Sequence, residues 1–375
     1  MTEIAFTGDI AFSKYFTGRS GDKNLLAPEI LSFLKSADHV IPNVEGPISD
    51  GEKKGTDAAT PVHASDAYAA DWLMSFGGDI WNVSNNHVLD CSLSGFDDTV
   101  RAAERVGARV FGAGRNVDEA RAPVILPEEG GIGIFSICYR RLYKATAEKE
   151  GTLHWLDDEN IQKTIDEIKK TCRYCILIAH CGEEFSPLPP TYIHDRYHAF
   201  LQMGADVVVG HHPHVPQHYE KVGNKFIFYS LGNFIFDTDY QRIQAHTDLG
   251  VLIKLRFDGE ALSFTHLPYR IDRKTHTLQA LDDLFIFRNI PSRVFRRVTP
   301  LSTHVFWQNY RRARLFLRPY QRTMTKAQFI ESYRKERTPA IIRSVRRERR
   351  RYHAVPWRKE DPALISYILE KPKKQ

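Results

Sequence analysis

Hydrophobic and polar positions repeat with two periods over roughly the first 285 residues. Alternating or continuous apolar runs of four to eight residues predict strands near 3–8, 38–43, 79–84, 124–126, 132–138, 174–179 and 206–209. Between them, apolar residues at three- and four-residue spacing predict helices over about 26–35, 65–76, 94–106 and 159–171, with a further one ending near Met203. In the third of these, Phe96, Val100, Ala103 and Val106 share one face, and Gly107 is the expected stop. Strands at 225–229, 250–257 and 262–269 then follow one another without intervening helices. Repeated βα units that end in hairpin-like strands predict an α/β fold with a mixed sheet and outer helices. No internal repeat is present.

The last part of the chain has another pattern. Segments 300–318, 326–337 and 340–351 read as Arg-rich helices, with Phe306, Trp307, Tyr310, Leu315, Phe316 and Tyr320 interleaved among the arginines. Residues 288–375 hold 24 Lys and Arg against 6 Asp and Glu, a net of +18, whereas the rest carries −12. We therefore expect a body over 1–287 and a basic, mainly helical extension over 288–375. Two readings of the extension stay open. It meets an anionic membrane surface, an acidic polymer or nucleic acid, or some of its helices pack back on the acidic body. Nucleic acid has the least support, because no binding module or stacking platform is evident. The composition, 42% hydrophobic and 26% charged, is that of a globular protein and excludes extended disorder. No apolar run approaches the roughly 20 residues needed to span a bilayer. MTEIAFTGD lacks the basic and apolar regions of a signal peptide, and five cysteines are too few and odd in number for a disulfide framework. A cytoplasmic location is the expectation.

Ionisable and carboxamide residues recur where the predicted strands end. Asp9 closes FTGD, Glu45 lies in NVEGP, and Asn85, Asn86 and His87 lie in SNNH. His180 follows ILIA, and His211, His212 and His214 form HHPH. The C-terminal ends of strands are where α/β sheets assemble sites. Carboxylates, imidazoles and a carboxamide oxygen together suit Mn²⁺, Fe²⁺ or Zn²⁺. Two such ions about 3.5–4 Å apart can clamp a phosphoryl group and activate water. Singly, each residue has a plainer role: Asp9 as a turn residue, Glu45 as a solvated charge, Asn85 and Asn86 as turn formers. Five strand ends carrying compatible ligands point to a site for one or two divalent ions.

The series FTGD, NVEGP, SNNHVLD, FGAGRN, HCGEE, GHHPHV and YSLGNFIFD, spread over about residues 3–270, resembles the CapA family of capsule and poly-γ-glutamate synthesis proteins, a branch of the calcineurin-like metallophosphatases. That resemblance implies a four-layer sandwich of two mixed sheets flanked by helices. It implies Asp9, Glu45, Asn86, His180, His212 and His214 as metal ligands, with Glu45 bridging. His87 would be the general acid and Asp90 would orient it. Asn85, His211, Glu184, Arg115 and His63 are candidates for supporting or substrate-binding roles. The implied activity is a metal-dependent phosphoesterase-like hydrolase of capsule or exopolymer synthesis, acting on an anionic polymer or a phosphorylated substrate. A non-catalytic assembly factor and a metal-dependent nuclease are the alternatives.

The chain departs from the metallophosphatase pattern in three places. Ala11 stands where a histidine ligand is usual, so one ion is expected to bind weakly or not at all. Cys181 replaces a tryptophan and Ser92 a glycine, and neither change removes a ligand. Lys53, Lys54 and Asp237 are further polar candidates near the motifs. His194 and His198, four apart on a predicted helix, permit metal binding, although a solvated helix face is the plainer reading. Cys172 and Cys175 lack the context of a redox motif and are expected to pack.

Overall fold

The computed structural model describes residues 1–51, 62–316, 338–354 and 360–371. Lys53, Lys54, Tyr320 and the helix expected over 326–337 lie outside these residues, as do the side chains of Tyr310, Leu315 and Phe316.

Two mixed sheets form the body. In spatial order the larger contains Thr277–Ala280, Ala261–Asp272, Leu249–Asp258, Thr2–Lys14, His39–Val44, Ile80–Asn82 and Arg109–Phe111. Asn233–Asp237 also pairs with Thr2–Lys14, in parallel. The smaller contains Tyr219–Val222, Lys225–Phe228, Val207–His211, Tyr174–His180, Ile132–Cys138 and Val124–Leu126. The sheets face each other across one apolar cluster, to which Phe6, Ile41, Ile253 and Leu255 contribute from one side and Ile134, Ile176, Val209 and Phe228 from the other. Helices cover both outer faces. Ile30, Leu34, Leu73 and Phe96 pack on the larger sheet, and Ile161, Ile165, Tyr197 and Phe200 on the smaller. Strands buried on both faces read as near-continuous apolar runs, as ILIA and VVV do here.

The helix Ser92–Val106 ends at Gly107 with φ +77°, the left-handed stop its sequence predicts. The first strand differs from expectation. It does not end before Asp9 but runs through it to Lys14, with register irregularities on either side of Asp9. An irregularity of this kind re-aims a side chain within a strand. The Arg-rich segment expected to start at Pro300 is a helix from Ser292 to Phe316 with Pro300 inside it. Pro300 cannot donate to the Arg296 carbonyl; Arg351 Nη2 approaches that oxygen at 3.4 Å instead.

The described helices of the basic segment lie on the body. Phe295, Val298, Leu301, Leu364 and Tyr367 belong to the same apolar cluster as the facing sheets. Thr299 Oγ1 donates to the Pro189 carbonyl at 3.2 Å, and the Tyr367 ring stacks on His246 with centroids 3.9 Å apart. Among the described residues, no helix is long and apolar enough to cross a membrane.

Candidate metal centre

Both sheets contribute to one buried cluster. Asp9 comes from the first strand, and Glu45 follows His39–Val44, its N–H donating to the Ile10 carbonyl at 2.8 Å. His180 ends Tyr174–His180 and His211 ends Val207–His211, in register with each other. His212 and His214 occupy the loop beyond. Their φ values, +94° and +57°, are unusual for residues with a Cβ. Pro213 already disfavours the right-handed helical region at His212. Holding both residues in the left-handed region costs on the order of 1–3 kcal/mol each, strain of a kind found at binding sites.

Carboxamides on neighbouring strands fix the aspartate. Asn82 Nδ2 donates to Asn43 Oδ1 at 2.7 Å, and Asn43 Nδ2 donates to Asp9 Oδ1 at 2.8 Å. His211 Nδ1 lies 3.0 Å from Asp9 Oδ1, and His214 Nδ1 lies 3.2 Å from Asp9 Oδ2. Burial works against the charge on Asp9, but the His211 and His214 contacts hold its carboxyl well below the usual range.

Glu45 is fully buried, and among the described residues neither carboxylate oxygen has a hydrogen-bond partner. Oε1 faces three imidazoles instead: His180 Nε2 at 3.7 Å, His214 Nε2 at 3.7 Å and His87 Nε2 at 3.9 Å. These separations are too long for hydrogen bonds. They suit donors that share an ion, since ligands about 2.0–2.2 Å from a metal lie roughly 3–4 Å apart. Without an ion, burial pushes the Glu45 carboxyl well above its ordinary value. Burial also lowers His180 well below the usual histidine range. His214 goes the other way: burial opposes its charge, yet Glu45 and Asp9 raise it to about 10.

Two ligand groups emerge. Asp9, Glu45 and His180 offer atoms within 4.8 Å of one another, and so do Glu184, His212 and His214. Glu184, expected in a supporting role, thus stands beside two expected ligands, and it is the more open member of its group. Asn86 Oδ1 lies 2.7 Å from His180 Nε2. His87 Nδ1 lies 2.7 Å from Asp90 Oδ2, the expected orienting contact. Burial, with the nearby His214 and Arg140 cations, holds His87 at about 3, so it is neutral in the free protein. His63 packs edge-on against His87 with centroids 4.3 Å apart, and its N–H donates to Asp90 at 2.7 Å. Asn85 shapes the turn: its Oδ1 accepts from the His87 N–H at 2.9 Å, and its Nδ2 donates to the Val44 carbonyl at 2.7 Å.

Several candidates lie elsewhere. Arg115 pairs with Asp97 on the surface, 2.7 Å away. Asp237 is buried against Arg242 at 2.6 Å and Arg273 at 3.3 Å. Ala11 is buried. All five cysteines are free and buried, and burial pushes the Cys175 thiol up to about 12 and the Cys181 thiol well above its ordinary value. Asn43, Asn82 and Asn233 were not singled out from sequence. The last places Oδ1 3.0 Å from His214 Nδ1. The available signal was one carboxamide in each of three short, mainly apolar strands.

A family model described as bacterial capsule synthesis protein PGA_cap matches residues 3–238. The capsule biosynthesis protein CapA of Bacillus anthracis is 30% identical over 219 residues, covering 56% of this chain and 53% of that protein. The PGA biosynthesis protein CapA of Bacillus subtilis (strain 168) is 28% identical over 246 residues, 64% of each chain. The chain thus spans between about half and two thirds of the length of these curated relatives. Among solved structures, a 5′-nucleotidase from Candida albicans SC5314 aligns with 84% of this chain and 58% of its own at 11% identity and a TM-score of 0.40.

Proposed function

The chain belongs to the PGA_cap family of bacterial capsule synthesis proteins, and from that premise we propose that it is a metal-dependent hydrolase of the phosphoesterase type serving capsule or exopolymer synthesis. The scaffold in this reading is a four-layer metallophosphatase-like sandwich. The observation that carries the proposal is Glu45, a buried carboxylate without a hydrogen bond among the described residues, ringed by imidazole nitrogens at 3.7–3.9 Å. An unpaired buried charge is costly unless a cation compensates it. Asp9, Glu45 and His180 would hold one divalent ion of the Mn²⁺, Fe²⁺ or Zn²⁺ class, with Asn86 adjoining. Glu184, His212 and His214 would serve a second. Such ions, when bound, supply Lewis-acid polarisation of a phosphoryl oxygen and of water.

The remaining roles fall to the chain's own groups. Asp90 holds the Nδ1 edge of His87 and leaves Nε2 facing Glu45. His87, neutral when the site is free, would take a proton from the attacking water at Nε2 and pass it to the leaving oxygen. Asn43 and His211 keep Asp9 aimed, and Asn233 does the same for His214. The substrate is a phosphorylated precursor or an anionic polymer. Ala11, in place of a histidine, favours a second reading in which the second ion is weak and the protein is a non-catalytic assembly factor.

The discriminating assay is metal-titrated turnover of an aryl phosphodiester by the full chain. His87→Asn should keep its metal and lose about 10²–10⁴-fold in rate on a poor leaving group, with a much smaller loss on a good one. Metal-loaded protein without turnover on phosphodiester or phosphomonoester would favour the assembly reading.

A further inference from the structure

A second group of histidines converges behind the smaller sheet and shares no residue with the centre above. His194 and His198 lie one turn apart on the helix Thr191–Met203. Glu220 lies on the strand Tyr219–Val222, and His218 lies two residues before it. The helical histidines do not form the solvated face that their sequence suggests. His194, His218 and Glu220 are buried, and only His198 reaches the surface in part.

His194, His198 and Glu220 each offer a ligand atom within 4.8 Å of the others, and His198 Nε2 also hydrogen-bonds Glu220 Oε2. Glu220 Oε1 is 3.1 Å from His194 Nε2 and 3.6 Å from His218 Nε2, and Glu220 Oε2 is 2.9 Å from His198 Nε2. Ligand atoms of a tetrahedral zinc ion, each about 2.0–2.1 Å from the metal, lie roughly 3.3 Å apart. The hydrogen-bond pattern adds an independent observation. His218 is fully buried, and among the described residues neither of its ring nitrogens has a hydrogen-bond partner. Glu220 Oε1 also lacks one, although two imidazole nitrogens stand near it. Buried polar atoms left without partners are rare and call for a ligand or ion.

We infer that His194, His198 and Glu220 hold a second, structural zinc ion, with His218 the adjoining imidazole. Imidazole and carboxylate without thiolate suit Zn²⁺. The site ties together three segments. Its helix follows the loop that carries Glu184, and its strand follows the loop that carries His212 and His214. Ser292, which opens the helix Ser292–Phe316, brings Oγ to 3.3 Å from both His194 Nε2 and Glu220 Oε2. Phe295 of that helix stacks on His194 with centroids 4.4 Å apart. An ion here therefore anchors the start of the basic segment and braces both ligand loops from behind.

The test is zinc binding to the full chain after chelation, read by elemental analysis and by thermal melting with and without zinc. In His180→Ala/His212→Ala protein, whose other centre is disabled, one tightly held zinc per chain should remain and should raise the melting temperature. Cobalt(II) substituted into that variant should give the strong visible absorption of a tetrahedral ion. His198→Gln changes the most exposed ligand, so the fold should persist while zinc affinity falls by more than about tenfold, the loss that even a supporting residue can cause. A folded His180→Ala/His212→Ala variant that binds no zinc overturns the inference, and so does a His198→Gln variant with unchanged affinity and unchanged zinc-dependent melting. If the proposed catalytic centre binds no metal, the parent chain still holds this one zinc, so the two claims fail separately.

Discussion

His214 connects the two ligand groups, because one ring nitrogen faces Asp9 and the other faces Glu45. In the metal-free protein, burial opposes its charge but those carboxylates raise its pKa from 6.5 to about 10. A histidine whose folded pKa is raised contributes stability that is complete below the unfolded value and is lost as pH rises through the folded one. Metal-free wild-type protein should therefore lose stability between about pH 6.5 and 10 more steeply than His214→Gln. Denaturant melts across that range check this, and equal slopes would remove the His214 ion pair from the account. At this scale the residues that converge in the cluster were largely readable from sequence. Asp9, Glu45, His180, His212 and His214 announce themselves by chemical type at strand ends. Glu184 did not declare its place beside His212 and His214, because an acidic residue in a polar loop looks like any solvated charge. Asn43, Asn82 and Asn233 were silent for a similar reason: a carboxamide in a strand has no metal signature until register aligns it with a partner.

Among the elements, the turn after the second strand fixes the position of Glu45. Gly46 adopts φ +90°, and a Cβ there would lie 2.8 Å from the His63 carbonyl oxygen. Gly46→Ala should cost on the order of 1–3 kcal/mol through backbone strain and steric conflict. It should also weaken metal binding, because Glu45 must move with the turn. Melting and metal titration of the variant check both, and unchanged values in each would show that the turn tolerates a side chain. Most strands and helices were legible from their periods. Asn233–Asp237 was not, because it lies in the apolar stretch from Phe226 to Phe236. Within that stretch the chain leaves the smaller sheet after Phe228 and joins the larger at Asn233. A continuous apolar run gives no sign of such a crossing. The first strand was cut short at Asp9 because a buried carboxylate inside a strand looks, from sequence, like an ending. The Arg-rich pattern from Pro300 shows only part of its helix, since Ser292–Phe316 passes through Pro300.

Over the whole molecule, the basic charge and the apolar packing divide differently. The described helices beyond Phe287 contribute Phe295, Val298, Leu301 and Leu364 to the core between the sheets. Their outward side remains strongly basic, with Arg343, Arg346, Arg347, Arg349 and Arg350 exposed on Pro339–Ala354. We propose that this surface meets an anionic polymer or an anionic membrane, each basic side chain adding about 1 kcal/mol near an anionic lipid surface. A chain ended after Phe287 should lose that binding and should also melt at a lower temperature, since it exposes buried apolar area. Vesicle sedimentation at low and high salt, beside thermal melts, checks both parts. Binding retained by the truncated chain would locate the anionic contact elsewhere, and an unchanged melt would show that the body stands alone.

The Glu45 ring is proposed to hold a divalent ion. The most direct test is the metal content of full-length protein and of Glu45→Gln/His180→Ala, each reconstituted with manganese or zinc and freed of excess ion. The folded variant should bind at least one fewer ion per chain. Equal metal content in both proteins would contradict it.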